Sequence, residues 1–149
     1  MNTGKPYTFW EFLKENKIVI PIIQRDYAQG RVGKEELRKR FLTSLKDAIE
    51  DNKSLTLDFV YGMQKGTDGI IPLDGQQRLT TLWLLHWYAF LRSGNNITKH
   101  NLPLFRNFSY ETRLSSRLFI ENLCNEENFR KLRNHRFLYI KLLHSKHGF

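Results

Sequence analysis

The chain has 149 residues, 40% of them hydrophobic and 13% aromatic, a composition typical of one globular domain and not of a disordered chain. Its 24 basic and 15 acidic residues give a formal net charge of +9, which favours an anionic partner such as nucleic acid, a nucleotide or an acidic protein surface. A single cysteine, Cys124, excludes an intramolecular disulfide framework and a cysteine-based zinc cluster, and we interpret it as a small buried hydrophobe. No secretory signal pattern is present, and the longest apolar stretch, residues 82–91, is shorter than the roughly 20 residues that cross a bilayer. We therefore expect a cytoplasmic protein with no membrane partner.

The first part of the chain predicts a helix, a strand and a second helix. Thr8 can cap a helix, and Glu11 three residues later completes a capping-box pattern. Residues 17–22 (KIVIPI) are typical of a short buried strand, with Pro21 near an edge or at its end. A polar loop follows, and residues 34–52 then show the period of an amphipathic helix. The predicted apolar face of that helix consists of Leu37, Phe41, Leu45, Ala48 and Ile49.

The middle of the chain predicts a hairpin that leads into a central helix. Residues 54–64 alternate as a strand, residues 66–69 (GTDG) mark a tight turn, and residues 70–74 (IIPLD) form the returning strand. A helix that is apolar on almost every side follows, from about residue 76 to 92, so we expect it at the centre of the core. We interpret its histidine and its aromatic side chains as core residues: Trp83, His86, Trp87, Tyr88 and Phe90.

The remainder of the chain reads as loop or short extended chain to residue 108, followed by helices over residues 111–123 and about 126–143. The predicted fold class is α+β, with a small mixed sheet, packed helices and a helical C-terminal part. Residues 1–95 would form the core, and residues 96–149 a helical extension of the same domain. Because an apolar pattern reaches almost to the last residue, we interpret the chain as part of a longer protein.

The segment PLDGQQRLTTL, residues 72–82, has the chemistry of an anion site. It predicts a strand, a sharp glycine turn and the start of a helix, where backbone N–H groups without partners attract phosphate. Gly75 allows close approach of the backbone, and Arg78 offers a bidentate donor fork. Asp74 can hold Mg²⁺ or orient water, whereas Gln76 and Gln77 can recognise ribose, base or water. In the alternative interpretation, Asp74 and Gln77 form a capping box and Arg78 only neutralises a carboxylate.

Two further polar regions are candidate ligand contacts. Gln24 and Arg25 follow the first strand as Asp74 to Arg78 follow a later one, so both strand ends can converge on one anionic ligand. An exposed loop with a local ion pair is the alternative there. The C-terminal basic run is by default a solvated helix face, but its arginines and lysine are also candidates for contacts with nucleic-acid phosphates: Arg130, Lys131, Arg133 and Arg136.

The strings IPIIQRDY and LDGQQRLTTL resemble the N-terminal domain of the GmrSD type of modification-dependent restriction proteins. FSYETRLSSRLFIENL is similar to the helical continuation of that family, and the resemblance covers residues 9–123. The family is similar in fold to the ParB/sulfiredoxin-like domains, in which a Gly-x-x-Arg turn at a helix start binds nucleotide phosphates. Gly75-Gln76-Gln77-Arg78 occupies that pattern. Gln29 departs from the commoner form, which has an aromatic residue there.

This resemblance implies a domain that binds and hydrolyses a nucleoside triphosphate (GTP, ATP, CTP or UTP) with Mg²⁺. The domain would serve a restriction protein that acts on modified DNA through a nuclease domain or subunit absent from this chain. Catalysis would fall to Asp74, Gln77 and Arg78, with Asp74 at the metal. The nucleotide would contact Gly75, Gln76, Gln77 and Arg78 from one side and Gln24 and Arg25 from the other. A DNA-binding or nucleotide-gated module without turnover is the rival hypothesis.

Overall fold

A computed structural model describes residues 5–21, 35–57, 60–66, 69–93, 101–111 and 114–134, apart from the side chains of residues 37 and 38. Within these ranges the chain forms four strands and six α-helices. The first half contains α1 (Phe9–Glu15), β1 (Lys17–Ile20), α2 (Glu35–Glu50), β2 (Gly62–Lys65) and β3 (Gly69–Pro72). The second half contains α3 (Gln76–Arg92), α4 (Asn101–Leu104), a 3₁₀ turn (Phe105–Asn107), β4 (Phe108–Tyr110), α5 (Leu114–Leu123) and α6 (Glu126–Asn134).

The described strands form one mixed sheet in the order β2-β3-β1-β4. β1 lies parallel to both β3 and β4, with Ile18 opposite Ile70 on one side and Phe108 on the other. β2 runs antiparallel to β3, as the predicted hairpin requires. The carboxyl ends of β1, β3 and β4 therefore share one edge of the sheet, and β2 begins at that same edge.

One face of this sheet forms the base of the core. Ile18, Ile20 and Phe108 are fully buried, and Pro72 of β3 points to the same side. Alternation along a strand places every second side chain on one face, so these residues pack together against the helices. The predicted α+β class, with a small mixed sheet and a helical C-terminal part, is confirmed.

The helix α3 lies at the centre of the core, as its apolar pattern predicts. Trp83 and Trp87 are fully buried, and their indole N–H groups donate to the carbonyls of Phe105 (3.0 Å) and Leu123 (3.1 Å). Buried tryptophans commonly find such a partner for the ring nitrogen. Phe90 packs against the core, whereas Tyr88 is exposed, so the core assignment is wrong for Tyr88.

The capping box predicted at the first helix is confirmed. The Thr8 hydroxyl accepts the Glu11 N–H at 3.2 Å, and the Glu11 carboxylate accepts the Thr8 N–H at 3.0 Å. The Thr8 hydroxyl also donates to the Glu11 carboxylate at 2.8 Å, and this bond, together with the one from the Thr8 N–H, lowers the pKa of Glu11. The short strand predicted next is also present, and it stops before Pro21, as expected for a residue without a backbone N–H.

Three predicted elements differ from the structure. The strand expected over residues 54–64 begins only at Gly62, and residues 58 and 59 lie outside the described part. The segment predicted as loop or short extended chain up to residue 108 ends in β4, which pairs with β1 as an outer strand of the described sheet. The apolar face of α2 is half-buried at Phe41, Leu45 and Ala48 but exposed at Ile49. No helix of the described residues has the length and hydrophobicity to cross a membrane.

Candidate functional site

The turn between β3 and α3 is built around Gly75. Gly75 is the N-cap of α3 and has a left-handed conformation, with φ +79° and ψ 6°, which costs little only for glycine. A Cβ atom at this position would lie 2.8 Å from Cγ2 of Val60, so the turn also has no room for a side chain. No side chain caps the helix, and the capping-box interpretation of Asp74 and Gln77 is therefore wrong.

The side chain of Arg78 turns back over this glycine towards Asp74. Arg78 Nη2 lies 3.2 Å from Asp74 Oδ2, and the same atom would lie 3.5 Å from a Cβ at Gly75. The Arg78 side chain is 21% exposed and that of Asp74 is 57% exposed. Arg78 thus pairs with a carboxylate, as the alternative interpretation of this segment predicts. An ion pair with one partner so exposed contributes little, about 0–1 kcal/mol.

The two glutamines of the turn have different environments. Gln76 is buried, and its Nε2 donates to the Pro72 carbonyl at 2.9 Å, which ties the end of β3 to the start of α3. Gln77 is half-buried, and its carbonyl accepts from the Thr81 hydroxyl at 2.9 Å. The Gln76 side chain therefore has a structural contact, whereas Gln77 lies closer to the surface.

The buried hydroxyl groups of Thr80 and Tyr110 stabilise the start of α3 next to the turn. The Thr80 hydroxyl donates to the Gln76 carbonyl at 2.9 Å and lies 3.0 Å from the Tyr110 hydroxyl at the end of β4. Because the Thr80 hydroxyl carries one proton, both contacts are satisfied when Tyr110 donates to Thr80. Tyr110 has no sequence signal for this contact, since thirty residues separate it from Thr80 and no local pattern links them.

The sheet edge brings together the chain segments that follow the parallel strands. Asp74 and Gly75 follow β3 there, and Pro21 follows β1 at the same edge. Ligands commonly bind outside the carboxyl ends of parallel strands. Gln24 and Arg25, predicted to face the turn, lie outside the described residues, so their contact with the ligand stays a prediction.

The candidate metal ligand predicted from the sequence is Asp74, whose carboxylate pairs with Arg78. Among the residues that the structure describes, no group of three or more His, Cys, Asp or Glu side chains is close enough to hold a metal. A site made entirely of protein ligands is therefore not formed in this part of the chain. Asp74 remains as one exposed carboxylate beside the turn. Mg²⁺ commonly binds through one or two carboxylates together with substrate phosphates and water, and Asp74 fits that mode.

The basic residues of α6 are partly neutralised by their own helix. Arg130 pairs with Glu126 at 2.5 Å and Lys131 with Glu127 at 2.6 Å, in each case one helical turn apart. The hydrogen bond from Lys131 lowers the pKa of Glu127. Arg133 is half-buried, and Arg136 lies outside the described residues. Contact with nucleic acid through these four side chains stays a prediction.

His86 and Cys124, two residues with chemically reactive side chains, are held by contacts within the protein. His86 contacts the Leu82 carbonyl at 2.8 Å and packs on the ring of Phe9, and its burial lowers the pKa of the imidazole. The predicted core position of Cys124 is confirmed: the side chain is fully buried, and burial raises the pKa of the thiol to about 12. A thiol with so high a pKa is a poor nucleophile.

These features define a small α+β domain whose candidate site is the glycine turn that joins β3 to a buried helix. A family model, the N-terminal domain of the GmrSD restriction endonuclease, matches residues 9–146. The chain belongs to this family, which confirms the resemblance carried by the strings IPIIQRDY and LDGQQRLTTL and places the chain among restriction proteins. No curated protein and no solved structure matches the chain.

Proposed function

We propose that the domain binds a nucleoside triphosphate at the turn between β3 and α3 and hydrolyses it with Mg²⁺. In the complete protein, this cycle would control a nuclease domain or subunit that cleaves modified DNA in the cytoplasm. The observation that carries the proposal is the turn itself, in which a left-handed glycine opens a buried helix and an arginine of the first helical turn folds over it.

The backbone of the turn suits the phosphate groups. The first turn of a helix carries N–H groups that no carbonyl of the same helix can accept, and the helix dipole adds partial positive charge. Because Gly75 has no side chain, a phosphate can approach these groups closely. A guanidinium in the same turn supplies two parallel N–H donors, the geometry that phosphate oxygens prefer.

The ion pair between Arg78 and Asp74 fits this role as an exchangeable contact. A triphosphate carries more negative charge than one carboxylate and can accept both arms of the guanidinium. Since the Asp74 side chain is 57% exposed, its pairing with Arg78 is weak enough to be replaced. Phosphate binding at Arg78 would release the Asp74 carboxylate, which then becomes available to Mg²⁺ or to an attacking water.

The remaining residues take supporting roles in this proposal. Asp74 would hold Mg²⁺, which supplies charge neutralisation of the phosphates when bound. The half-buried Gln77 would orient the attacking water or the ribose. We assign Gln76 chiefly to positioning, because its side chain already donates to the Pro72 carbonyl. Gln24 and Arg25 come soon after β1 in the sequence, and β1 ends at the same sheet edge, so in this proposal they would close the ligand from the other side.

The test is the replacement of Arg78. Wild-type protein should show a higher melting temperature with one or more of the four ribonucleoside triphosphates and Mg²⁺, because a ligand that binds only the native state stabilises it by about 2.7 kcal/mol at 100 times its Kd. Arg78→Ala should lose this shift and the release of phosphate. Arg78→Met retains the apolar stem of the side chain and should behave as Arg78→Ala while keeping the fold.

A matched control lies on the same helix. Arg92 is exposed in the last turn of α3, so Arg92→Ala removes one positive charge without touching the turn. It should retain the nucleotide-dependent shift and the hydrolysis. Wild-type levels of hydrolysis in Arg78→Met would refute the proposed site, and a wild-type melting temperature unaffected by any nucleotide would refute the proposed function.

A further inference from the structure

We infer that Tyr61 provides a stacking surface for the base of the bound nucleotide. This inference rests on the proposed function. It assigns a contact to the base of the nucleotide, whereas the turn is proposed to bind the phosphates. Tyr61 immediately precedes β2 at the sheet edge from which Asp74 and Gly75 emerge, and no sequence motif singles it out. Tyr61 is 57% exposed, more than the other exposed tyrosines in the described part of the chain, Tyr7 (40%) and Tyr88 (43%).

The backbone fixes Tyr61 directly beside the turn. Its carbonyl accepts the N–H of Leu73 at 2.9 Å and that of Asp74 at 3.2 Å. The register of the hairpin, with Gly62 opposite Pro72, places Tyr61 opposite Leu73. Neighbouring strands lie about 4.8 Å apart, so Tyr61 is one strand spacing from a residue that stands two positions before Gly75.

Tyr61 belongs to an apolar surface on the outer face of the sheet. By alternation along the strand, Met63 lies on the same face as Tyr61, and Leu73, which directly follows β3 opposite Tyr61, joins them. We call these three residues the Tyr61 ledge. Met63 is 55% exposed and Leu73 52% exposed. Val60, the neighbour of Tyr61, instead packs towards the core and touches the position of Gly75.

The chemistry of the ledge complements that of the turn. The turn offers N–H groups and a guanidinium, which suit phosphates, whereas the ledge offers an aromatic ring, a thioether and a branched alkyl group. A nucleoside triphosphate has the same two parts, an anionic chain and a flat π-system. Every nucleobase has a π-face that stacks on an aromatic side chain, so this contact predicts affinity for the nucleoside with little choice among the four bases.

The test compares ligands with and without a base on the full 149-residue chain. Affinities for the four ribonucleoside triphosphates and for inorganic tripolyphosphate are measured with Mg²⁺ by calorimetry, on wild type, Tyr61→Ala and Tyr61→Phe. Tyr61→Ala should bind the nucleotides about tenfold more weakly, the scale of one lost base–aromatic stack, and should bind tripolyphosphate as wild type does. Tyr61→Phe retains the ring and should match wild type with both ligands.

A control tyrosine tests whether any exposed ring has the same effect. Tyr88 lies on α3 twelve residues beyond Gln76, about 18 Å away along a helix axis, and Tyr88→Ala should leave all affinities unchanged. The inference is overturned if Tyr61→Ala binds nucleotides normally, if it weakens tripolyphosphate equally, or if wild type binds tripolyphosphate as tightly as nucleotides. In those outcomes the proposed function stands as long as Arg78→Met abolishes binding. Wild-type protein that binds neither ligand would refute both.

Discussion

The two ends of α3 are held in place by different forces. The first turns are polar, and buried hydrogen bonds fix them: Gln76 donates to the Pro72 carbonyl, and Thr80 contacts the Tyr110 hydroxyl. The later turns are aromatic and are fixed by packing, with Trp83 against Phe105 in an edge-to-face contact at 5.7 Å between ring centroids. One helix therefore has a packed end that stabilises the fold and a polar end that carries the candidate site.

This difference separates two kinds of mutational effect. A buried aromatic side chain contributes several kcal/mol to folding through area and contacts, without facing a ligand. A glycine turn and an exposed ion pair contribute much less to folding, because their residues are small or solvated. Changes at the packed end should therefore lower stability and spare affinity, whereas a change of Arg78, which pairs with the exposed Asp74, should lower affinity and spare stability.

The largest effect is expected at the packed end, for Trp83→Ala. Trp83 is fully buried, contacts Trp87, Phe105 and Phe108 through its rings, and donates to the Phe105 carbonyl at 3.0 Å. Its loss should lower the free energy of unfolding by about 3–5 kcal/mol, a large part of the stability of a small domain. Urea denaturation followed by circular dichroism measures this change.

The matched variant Trp83→Phe keeps a ring and loses the indole hydrogen bond. Since the Phe105 carbonyl also accepts the Phe108 N–H, this loss leaves no acceptor unpaired, and about 1 kcal/mol is expected from the bond itself. Its nucleotide affinity should stay within about twofold of wild type. A tenfold loss of affinity in the folded variant would mean that the two ends are not independent.

The intermediate effect is expected for Gly75→Ala, which acts on both properties. A non-glycine residue at φ +79° costs about 1–2 kcal/mol, and the added Cβ would also meet Val60 Cγ2 at 2.8 Å. We expect a destabilisation of roughly 2 kcal/mol together with loss of nucleotide binding, because the added Cβ would lie 3.5 Å from Arg78 Nη2, the group proposed to bind phosphate. Urea denaturation and the thermal-shift assay with nucleotide measure the two changes.

A double-mutant cycle separates the two causes of that destabilisation. In a Val60→Ala background, the contact with Cγ2 is absent, so Gly75→Ala should then cost only the conformational part. Equal costs of Gly75→Ala in both backgrounds would show that the contact with Val60 contributes nothing. Nucleotide binding should be lost in both backgrounds.

The packed end of α3 could be predicted from the sequence, because periodic apolar residues define a buried helix whatever its neighbours are. The predicted limits of α3 agree with the observed Gln76–Arg92. β4 could not be predicted in the same way. It has only three residues, and its pairing with β1 joins segments about ninety residues apart in sequence, beyond the reach of any local pattern.

The polar end of α3 shows that a local sequence pattern does not determine which residues pair. The spacing of a capping box occurs both at Thr8 with Glu11 and at Asp74 with Gln77, yet only the first pair forms the box. At the second position, the left-handed Gly75 takes the N-cap instead, and Asp74 pairs with Arg78. The residue types of the site were therefore predictable, whereas their partners depend on the backbone conformation of one glycine and on contacts with β2.

The smallest effect is expected for Tyr110→Phe, which removes one bond from the support of the polar end. The Tyr110 and Thr80 hydroxyls lie 3.0 Å apart, both residues are buried, and Thr80 keeps its bond to the Gln76 carbonyl in the variant. Loss of the hydrogen bond between Tyr110 and Thr80 should cost about 1 kcal/mol, so the urea midpoint should fall slightly. Because the Gln76 bond to Pro72 still ties α3 to β3, nucleotide affinity should stay within about twofold of wild type.

Thr80→Val is the harsher comparison, since it leaves the Tyr110 hydroxyl without this partner inside the protein. If Tyr110→Phe instead abolished binding without changing stability, the hydroxyl would have to contact the ligand itself, and the division between a packed end and a polar end would need to include β4 in the site.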